Sequence, residues 1–587
     1  MYMILYAIMH SLESQWSVNV NAPLCISKKT GIAFLPLVVS FSAQADLVSQ
    51  ELIRQHEREN ALRQSLQPRD ASQAPPHPTP REARFPMNET PCVILRDVRL
   101  TGASNDRFQW LLSTLNELDG PVRGRCLGSH GLRLIVSHMQ NALVDRGFVT
   151  SRVLAEPQEL SKGDLVLTLI PGRIHSIRFT GNSSPQATSW NALPARPGDL
   201  LNLRDIEQAL ENFKRLPTVD ADIQITPSEA ADARPGDSDV VIAWKQTLPF
   251  RLSLSLDDSG SKSTGRYQGS LSLSHDGMLA LNDLFYVSIN HDLDGKSRRT
   301  RATEGYAFHF EVPFGYWRLG LDSSRYEYRQ AVSGAYQTYL YRGKSDRQEI
   351  RLSRGLYRDA VRMFGGHLQG WVRSSSNYID DAEILVQRRR MSGWEFGVTH
   401  REFIVAATLE ASLAYRRGTG ALAALPASEE NFGSGTSRPQ LSTADVQLTL
   451  PFHMGRFRWR YNGRWRAQWN HTPLIPQDRF SIGGRHSVRG FDGESTLLAE
   501  RGWWLRNDLA VGLGRSGQTL YVGLDHGEVS GPSTEYLVGR RLTGGVVGLR
   551  GSFKNLSYDV FLGQTLNKPE YFRTSDTTAG GSIHLTW

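Results

Sequence analysis

The chain has 587 residues, a net charge of +8, 40% hydrophobic and 21% charged residues, and a mean hydropathy of −0.37. That length predicts several domains rather than one core. No apolar run of about 18 residues lies beyond the N-terminal region, which excludes a helical membrane protein but not a β-barrel, whose strands hide their apolar residues by alternation. The basic balance does not point to nucleic acid, because no basic cluster with interleaved aromatics stands apart from the strands. The arginines instead alternate with apolar residues along strands, as a basic pore interior would require.

The N-terminus reads as an export signal. Lys28 and Lys29 precede the apolar run GIAFLPLVVSFS, and Ala43-Gln44-Ala45 fits the small-residue cleavage rule, so residues 1–45 are expected to be removed and the mature chain to begin at Asp46. The 27 residues before the lysines are long for a signal; a misassigned start codon or a real extension would each account for them. Three cysteines occur, and Cys25 falls in the discarded region. Cys92 and Cys126 are then an even count in an exported chain and are expected to form a structural disulfide.

Residues 46–67 (DLVSQELIRQHERENALRQSL and one more) have a helical pattern with too few apolar residues for a core-facing stripe. Such a helix bridges solvent, lies in a polar cavity, or is a partly ordered tail. Residues 68–90, rich in proline and charge, read as an extended linker. Residues 91–173 and 174–247 then repeat one order of elements. The first has a strand (CVILRDVRLTG), two amphipathic helices (DRFQWLLSTLNEL and GLRLIVSHMQNALVDRG) and two strands (TSRVLAE and DLVLTLIPG). The second has IHSIRFTGN, the helical LRDIEQALENFKRL, and the strands ADIQITP and DVVIAWK. The expected unit is β-α-α-β-β, used in tandem.

From residue 248 to 587 the pattern changes to long alternating strands. In FRWRYNGRWRAQWN, Phe457, Trp459, Tyr461, Trp465 and Trp469 fall on one face, and Arg458, Arg460, Arg464 and Arg466 on the other. The expected faces are lipid and lumen. This length accommodates about 16 tilted antiparallel strands with turns and long outer loops. The chain stops on SIHLTW, with Ile583, Leu585 and Trp587 on one face, like the terminal strand read by the outer-membrane assembly machinery.

The loop SIGGRHSVRGFDG carries Val488, Arg489, Gly490 and Phe491, and too many residues lie between Pro473 and Trp503 for a hairpin. The segment is expected to fold back into the lumen, where a permanently charged guanidinium needs a carboxylate. In the strand YVGLDHGEV, Tyr521, Gly523 and Asp525 share a face, and small Gly523 and Gly527 leave room for it. These paired motifs, with RGFVTSRV and PGRI in the first repeat and EVPFGYWRLGL in the early barrel, resemble the two-partner secretion transporters, the TpsB family. The resemblance implies that the polar helix plugs the pore and that the repeats are periplasmic POTRA domains. It also implies that Asp525 receives Arg489, and that a large unfolded exoprotein (adhesin, hemolysin or contact-dependent toxin) crosses the barrel. The implied partners are that cognate exoprotein, through its N-terminal secretion domain, outer-membrane lipid, and the barrel assembly machinery during biogenesis. The transporter is expected to be monomeric.

Other chemistries lack their residues. GLGRSG, Gly512 to Gly517, is followed by a strand, so no helix N-terminus faces a pyrophosphate. Asn290, Asp292, Asp294 and Gly295 imitate a calcium loop, but its twelfth position is Arg301. No HExxH and no G-x-S-x-G is present, so neither a metal, a cofactor nor an enzymatic activity is expected. A barrel-assembly insertase, a passive porin and an autotransporter remain the rival readings. Insertases commonly carry more POTRA modules and no plug, and the other two need no tandem modules.

Overall fold

A computed structural model describes residues 35–66, 84–86, 89–294, 300–334, 336–514 and 516–587, with side chains from residue 50 onward. Residues 1–34 of the expected signal, most of the 68–90 linker, and Gly295 of the calcium-like string lie outside the described residues. The expected cleavage point after Ala45 falls inside one helix, Leu35–Leu66.

In the first repeat, strands Asp97–Gly102 and Asp164–Ile170 run parallel, and Arg152–Leu154 pairs antiparallel on the other side of 164–170. The helix Ser129–Asp145 buries Leu134, Ile135, Met139 and Leu143, the one-sided spacing of an amphipathic helix, against Leu165, Leu167 and Leu169. The expected helix over DRFQWLLSTLNEL is broken instead into Asn105–Phe108, Trp110–Thr114 and Leu115–Glu117, of which only the middle piece is α-helical. Two hydroxyls of the middle piece bond back onto its own turn. Ser113 Oγ donates to Trp110 O (2.6 Å) and Thr114 Oγ1 to Leu111 O (2.7 Å).

Cys92 and Cys126 are disulfide-bonded, with Cα atoms 5.3 Å apart, beside the short pairing of Val93–Ile94 with Cys126–Leu127. Glu89 caps the helix that follows: its carboxylate accepts from the N–H groups of Gly128 (2.7 Å), His130 (2.8 Å) and Gly131 (3.0 Å). Desolvation pulls the Glu89 carboxyl upward, but the three donors outweigh it and hold it below the usual carboxylate range. The cap is therefore present at neutral pH and is lost as pH falls through the lowered folded-state value. The cross-link closes a loop spanning 34 positions. In the chain-entropy account it contributes about 3–4 kcal/mol. We expect the Cys92→Ser, Cys126→Ser double variant to melt several degrees lower in the POTRA transition of a calorimetric scan. Unreduced mature protein should yield the linked peptides by mass spectrometry; two free thiols would contradict the bond.

The second repeat contains the strand, helix and two strands read from its sequence, without the additional helix that a strict β-α-α-β-β copy would need. Strand Arg173–Phe179 runs parallel to Asp237–Gln246, which pairs antiparallel with Val219–Pro227, and a single helix, Leu203–Lys214, packs on them. Where the first repeat has its broken helix, residues 180–202 form turns. Pro185, Pro194 and Pro197 deny that stretch a helical ladder. The segment bolts onto the barrel instead. Asn191 donates to Leu281 O and to Pro313 O (3.1 Å), and Asn282 donates back to Thr188 O (3.0 Å). The helix completes the joint: Asn212 donates to Gly315 O (2.9 Å), and Tyr316 Oη to Asp205 (2.7 Å). The two repeats are also joined, by Leu203 N to Gly147 O (2.8 Å) and Asn202 Nδ2 to Arg146 O (3.1 Å).

Sixteen long antiparallel strands, from Phe250–Asp257 to Thr577–Thr586, close into a barrel. Closure pairs the last strand with the first, Leu585 opposite Leu254, and exchanges backbone bonds between Trp587 and Leu252. Ile583 and Trp587 point outward with Leu252, Leu271, Ile289, Tyr306, Phe308, Ile350 and Leu352, all exposed apolar side chains. Cross-strand register keeps that set together, for example Leu271 opposite Ile289 and Ile289 opposite Tyr306. The opposite face carries Ser272, Tyr286, Ser288, His309, Asp322, Arg347 and Arg464. Apolar outside and polar inside is the pattern of a membrane barrel, the inverse of a soluble sandwich.

Candidate functional site: a lumen filled by a loop and a helix

Between strands Phe457–Asn470 and Arg501–Gly512 the chain turns into the barrel. It forms its own short pairing, Phe480–Ile482 with Leu497–Ala499, and seats Val488 and Phe491 in an apolar cluster with Trp504, Val529, Leu542 and Phe572. This inner core was not legible in the sequence, since a lumen is expected to be polar throughout. Beyond it the turn 488–491 reaches the wall.

Arg489 is 4% exposed and Asp525 is fully buried. Arg489 Nε donates to Asp525 Oδ2 (2.7 Å), Nη2 to Oδ1 (2.8 Å), and the Arg489 backbone N–H to Oδ2 (3.0 Å). The fork-on-fork geometry is one that lysine cannot reproduce. The arginine also donates to Asp508 Oδ1 (2.6 Å), whose other oxygen accepts from Arg550 (2.9 Å), and Arg506 approaches Asp525 at 3.8 Å. Strand register places these wall groups: Arg506 stands opposite Asp525, and Asp508 opposite Gly523. Sequence reasoning missed Asp508, Arg506 and Arg550. Only pairing register, invisible in one chain, sets them beside the motif.

Glycine makes the approach possible. A Cβ on Gly523 would lie 2.7 Å from the Arg489 guanidinium and 2.8 Å from Asp508. Gly490, at φ +94°, packs so closely on the wall that its Cβ would meet Gln564 O at 2.5 Å. Gly527 has a different role from the expected one: the group against it is the Val488 methyl, at 2.8 Å from a built Cβ, and no guanidinium.

The second occupant is the helix. Glu51, buried, accepts from Tyr326 Oη (2.7 Å), from Thr264 Oγ1 (3.2 Å) and from Arg54 (2.6 Å) and Arg58 (3.2 Å) of its own helix. Arg58 also donates to Tyr326 Oη (2.9 Å), Arg347 meets His56 (2.8 Å), and Arg63 pairs with Asp322 (3.1 Å). Among the described residues of the helix, Leu52 alone joins a wall cluster, against Tyr326, Tyr328 and Tyr341. Arg54 Nη2 donates to Gly493 O (2.7 Å), which ties the helix to the loop. Below them, the lumen near the second repeat is lined by Arg351, Arg401 and Arg464 with Asp445 and Glu410. Among the described residues no group of His, Cys, Asp and Glu is placed to hold a metal ion.

A closed barrel with an apolar outer band, a lumen occupied by a polar helix and an inward loop, and two β-rich modules at one mouth defines an outer-membrane protein-transport pore. The chain belongs to the haemolysin secretion/activation protein family ShlB/FhaC/HecB, whose family model matches residues 236–551. A ShlB-type POTRA domain matches 93–172 and a second POTRA domain 173–227. The outer membrane transporter CdiB-2 of Burkholderia pseudomallei is 35% identical, over 88% of this chain and 91% of its own. The hemolysin transporter protein HpmB of Proteus mirabilis is 24% identical, over 71% of this chain and 72% of its own. The solved CdiB of Acinetobacter baumannii superposes with a TM-score of 0.81 at 30% identity, covering 92% of this chain and 99% of that one. The protein is an outer-membrane transporter of two-partner secretion with its POTRA domains in the periplasm, and the curated relatives it matches are transporters.

Proposed function

We propose that the transporter captures one large exoprotein (adhesin, hemolysin or contact-dependent toxin) at its POTRA domains and passes it unfolded through the lumen, without itself catalysing a reaction. The observation that carries this is the resting blockade: the described part of the helix meets the wall almost wholly through polar contacts, which a passing chain and water can replace. No nucleotide or proton gradient acts at this membrane, so folding of the exoprotein outside drives export. The Val488-Arg489-Gly490-Phe491 turn, held on Asp525, sets the loop for each cycle. The transporter acts as a monomer that begins at Asp46 after cleavage, and Ile583, Leu585 and Trp587 serve its insertion by the barrel assembly machinery.

An extended segment of exoprotein can add a strand to an open sheet edge with little sequence demand. Arg152–Leu154 and Val219–Pro227 are both edge strands. Val153 N–H already donates to Gln140 Oε1 (3.2 Å), which leaves Val219–Pro227 the freer edge. Proline at positions 221, 223 or 225 should weaken binding of a purified secretion domain roughly tenfold, the order of one or two lost backbone bonds, while the barrel assembles normally. Unchanged binding with prolines at every edge strand would rule out strand addition.

A further inference from the structure

We infer that the second POTRA domain stands on the membrane, with Trp190 as an anchor that seats its indole among the phospholipids of the periplasmic leaflet. Trp190 belongs to a periplasmic domain, yet it is 67% exposed and directed at the barrel's lipid-facing surface: its ring lies 5.9 Å from that of Phe314. Phe314 ends the outward row that holds Phe308, and its cross-strand partner Trp317 is exposed as well. The Arg354 guanidinium lies 4.7 Å over the Trp317 ring, the arrangement of a cation reaching for headgroups from an apolar surface. The neighbouring turn adds exposed Met278 and Leu279. Together these side chains form a collar at the periplasmic end of the strands, where aromatic residues with a polar N–H favour the membrane–water boundary.

The position of Trp190 is fixed. Its neighbour Asn191 bonds the two periplasmic turns through Leu281 O and Pro313 O, and Gly315 N–H donates to Asn191 O (2.7 Å). The indole is therefore held at the depth of Phe314. The loop that stands where the first repeat has its broken helix thus presents a membrane-facing tryptophan, continuous with the lipid-contacting surface of the barrel.

The test uses the mature full chain in nanodiscs of phosphatidylethanolamine and phosphatidylglycerol. Trp190→Cys carries a nitroxide label, and Ala230→Cys serves as a control. Ala230 is exposed in the connection before strand Asp237–Gln246, at the end away from Gln246, which touches the barrel. At position 190, collisions with oxygen should exceed those with a water-soluble nickel chelate, and at 230 the order should reverse. Nickel collisions at 190 equal to those at 230 would overturn the proposal. Where the 190 variant fails the heat-shift test of a folded barrel, Leu279→Cys is read the same way: oxygen-dominated collisions support the collar, and nickel-dominated ones overturn it.

Discussion

Replacing Arg489 by alanine is expected to lower secretion at least tenfold while the barrel still inserts and still migrates as a folded, heat-modifiable protein. The variant strips Asp525 of the two bonds donated by the guanidinium and leaves it fully buried, with Arg506 at 3.8 Å as its remaining cation. Removing one partner of a buried ion pair costs about 3–5 kcal/mol, and even a third of that value shifts the loop equilibrium tenfold. The backbone bond from residue 489 to Asp525 survives the substitution, so the lost side-chain fork carries the effect. Lysine should restore little, because it cannot engage Asp525 Oδ1, Oδ2 and Asp508 Oδ1 at once. Asp508→Asn should give a smaller loss, since Arg489 keeps its main partner. An Arg489→Cys, Asp525→Cys pair should crosslink in the resting state. Normal export by the alanine variant would remove the turn from the mechanism.

Deleting residues 46–66 is expected to raise single-channel conductance severalfold in planar bilayers and to leave much of secretion intact. Its described residues contribute one leucine to an apolar wall cluster and otherwise rest on hydrogen bonds, each worth about 0.5–1.5 kcal/mol net, or up to about 3 when charged. Glu51 is the place to probe without deletion. Glu51→Gln keeps the shape but weakens four charge-assisted contacts, so openings should become about tenfold more frequent at unchanged open conductance. Tyr326→Phe should act in the same direction. A deletion variant with native conductance would show that the helix does not limit the pore.

The strands were legible because period-two alternation is a local signal. Trp465 and Trp469 against Arg464 and Arg466 name both faces of their strand before any fold is known. The disulfide partners and the folded-in loop were legible from cysteine count and segment length. Four features were not. Residues 180–202 were expected to follow the first repeat, but proline and a barrel surface to hold decided otherwise. The Asp508–Arg550 extension of the Arg489 site depends on strand register, which no single strand encodes. The apolar cluster around Val488 and Trp504 places a small dry core inside a wet lumen, so hydrophobic periodicity there reads as lipid-facing or irregular. Glu51 shows the same limit: a glutamate on a polar helix carries no mark that Tyr326 awaits it.

The central claim, passage of the exoprotein through the barrel interior, is tested most directly by placing a photo-crosslinking residue on each face of one strand. Arg464 faces the lumen beside Asp445 (3.6 Å), and Trp465 lies on the outward face with exposed Trp469. With an exoprotein stalled in mid-export by a folded C-terminal fusion, the probe at 464 should capture it and the probe at 465 should not. Capture at 465 with none at 464 would place the exported chain outside the lumen and contradict the account.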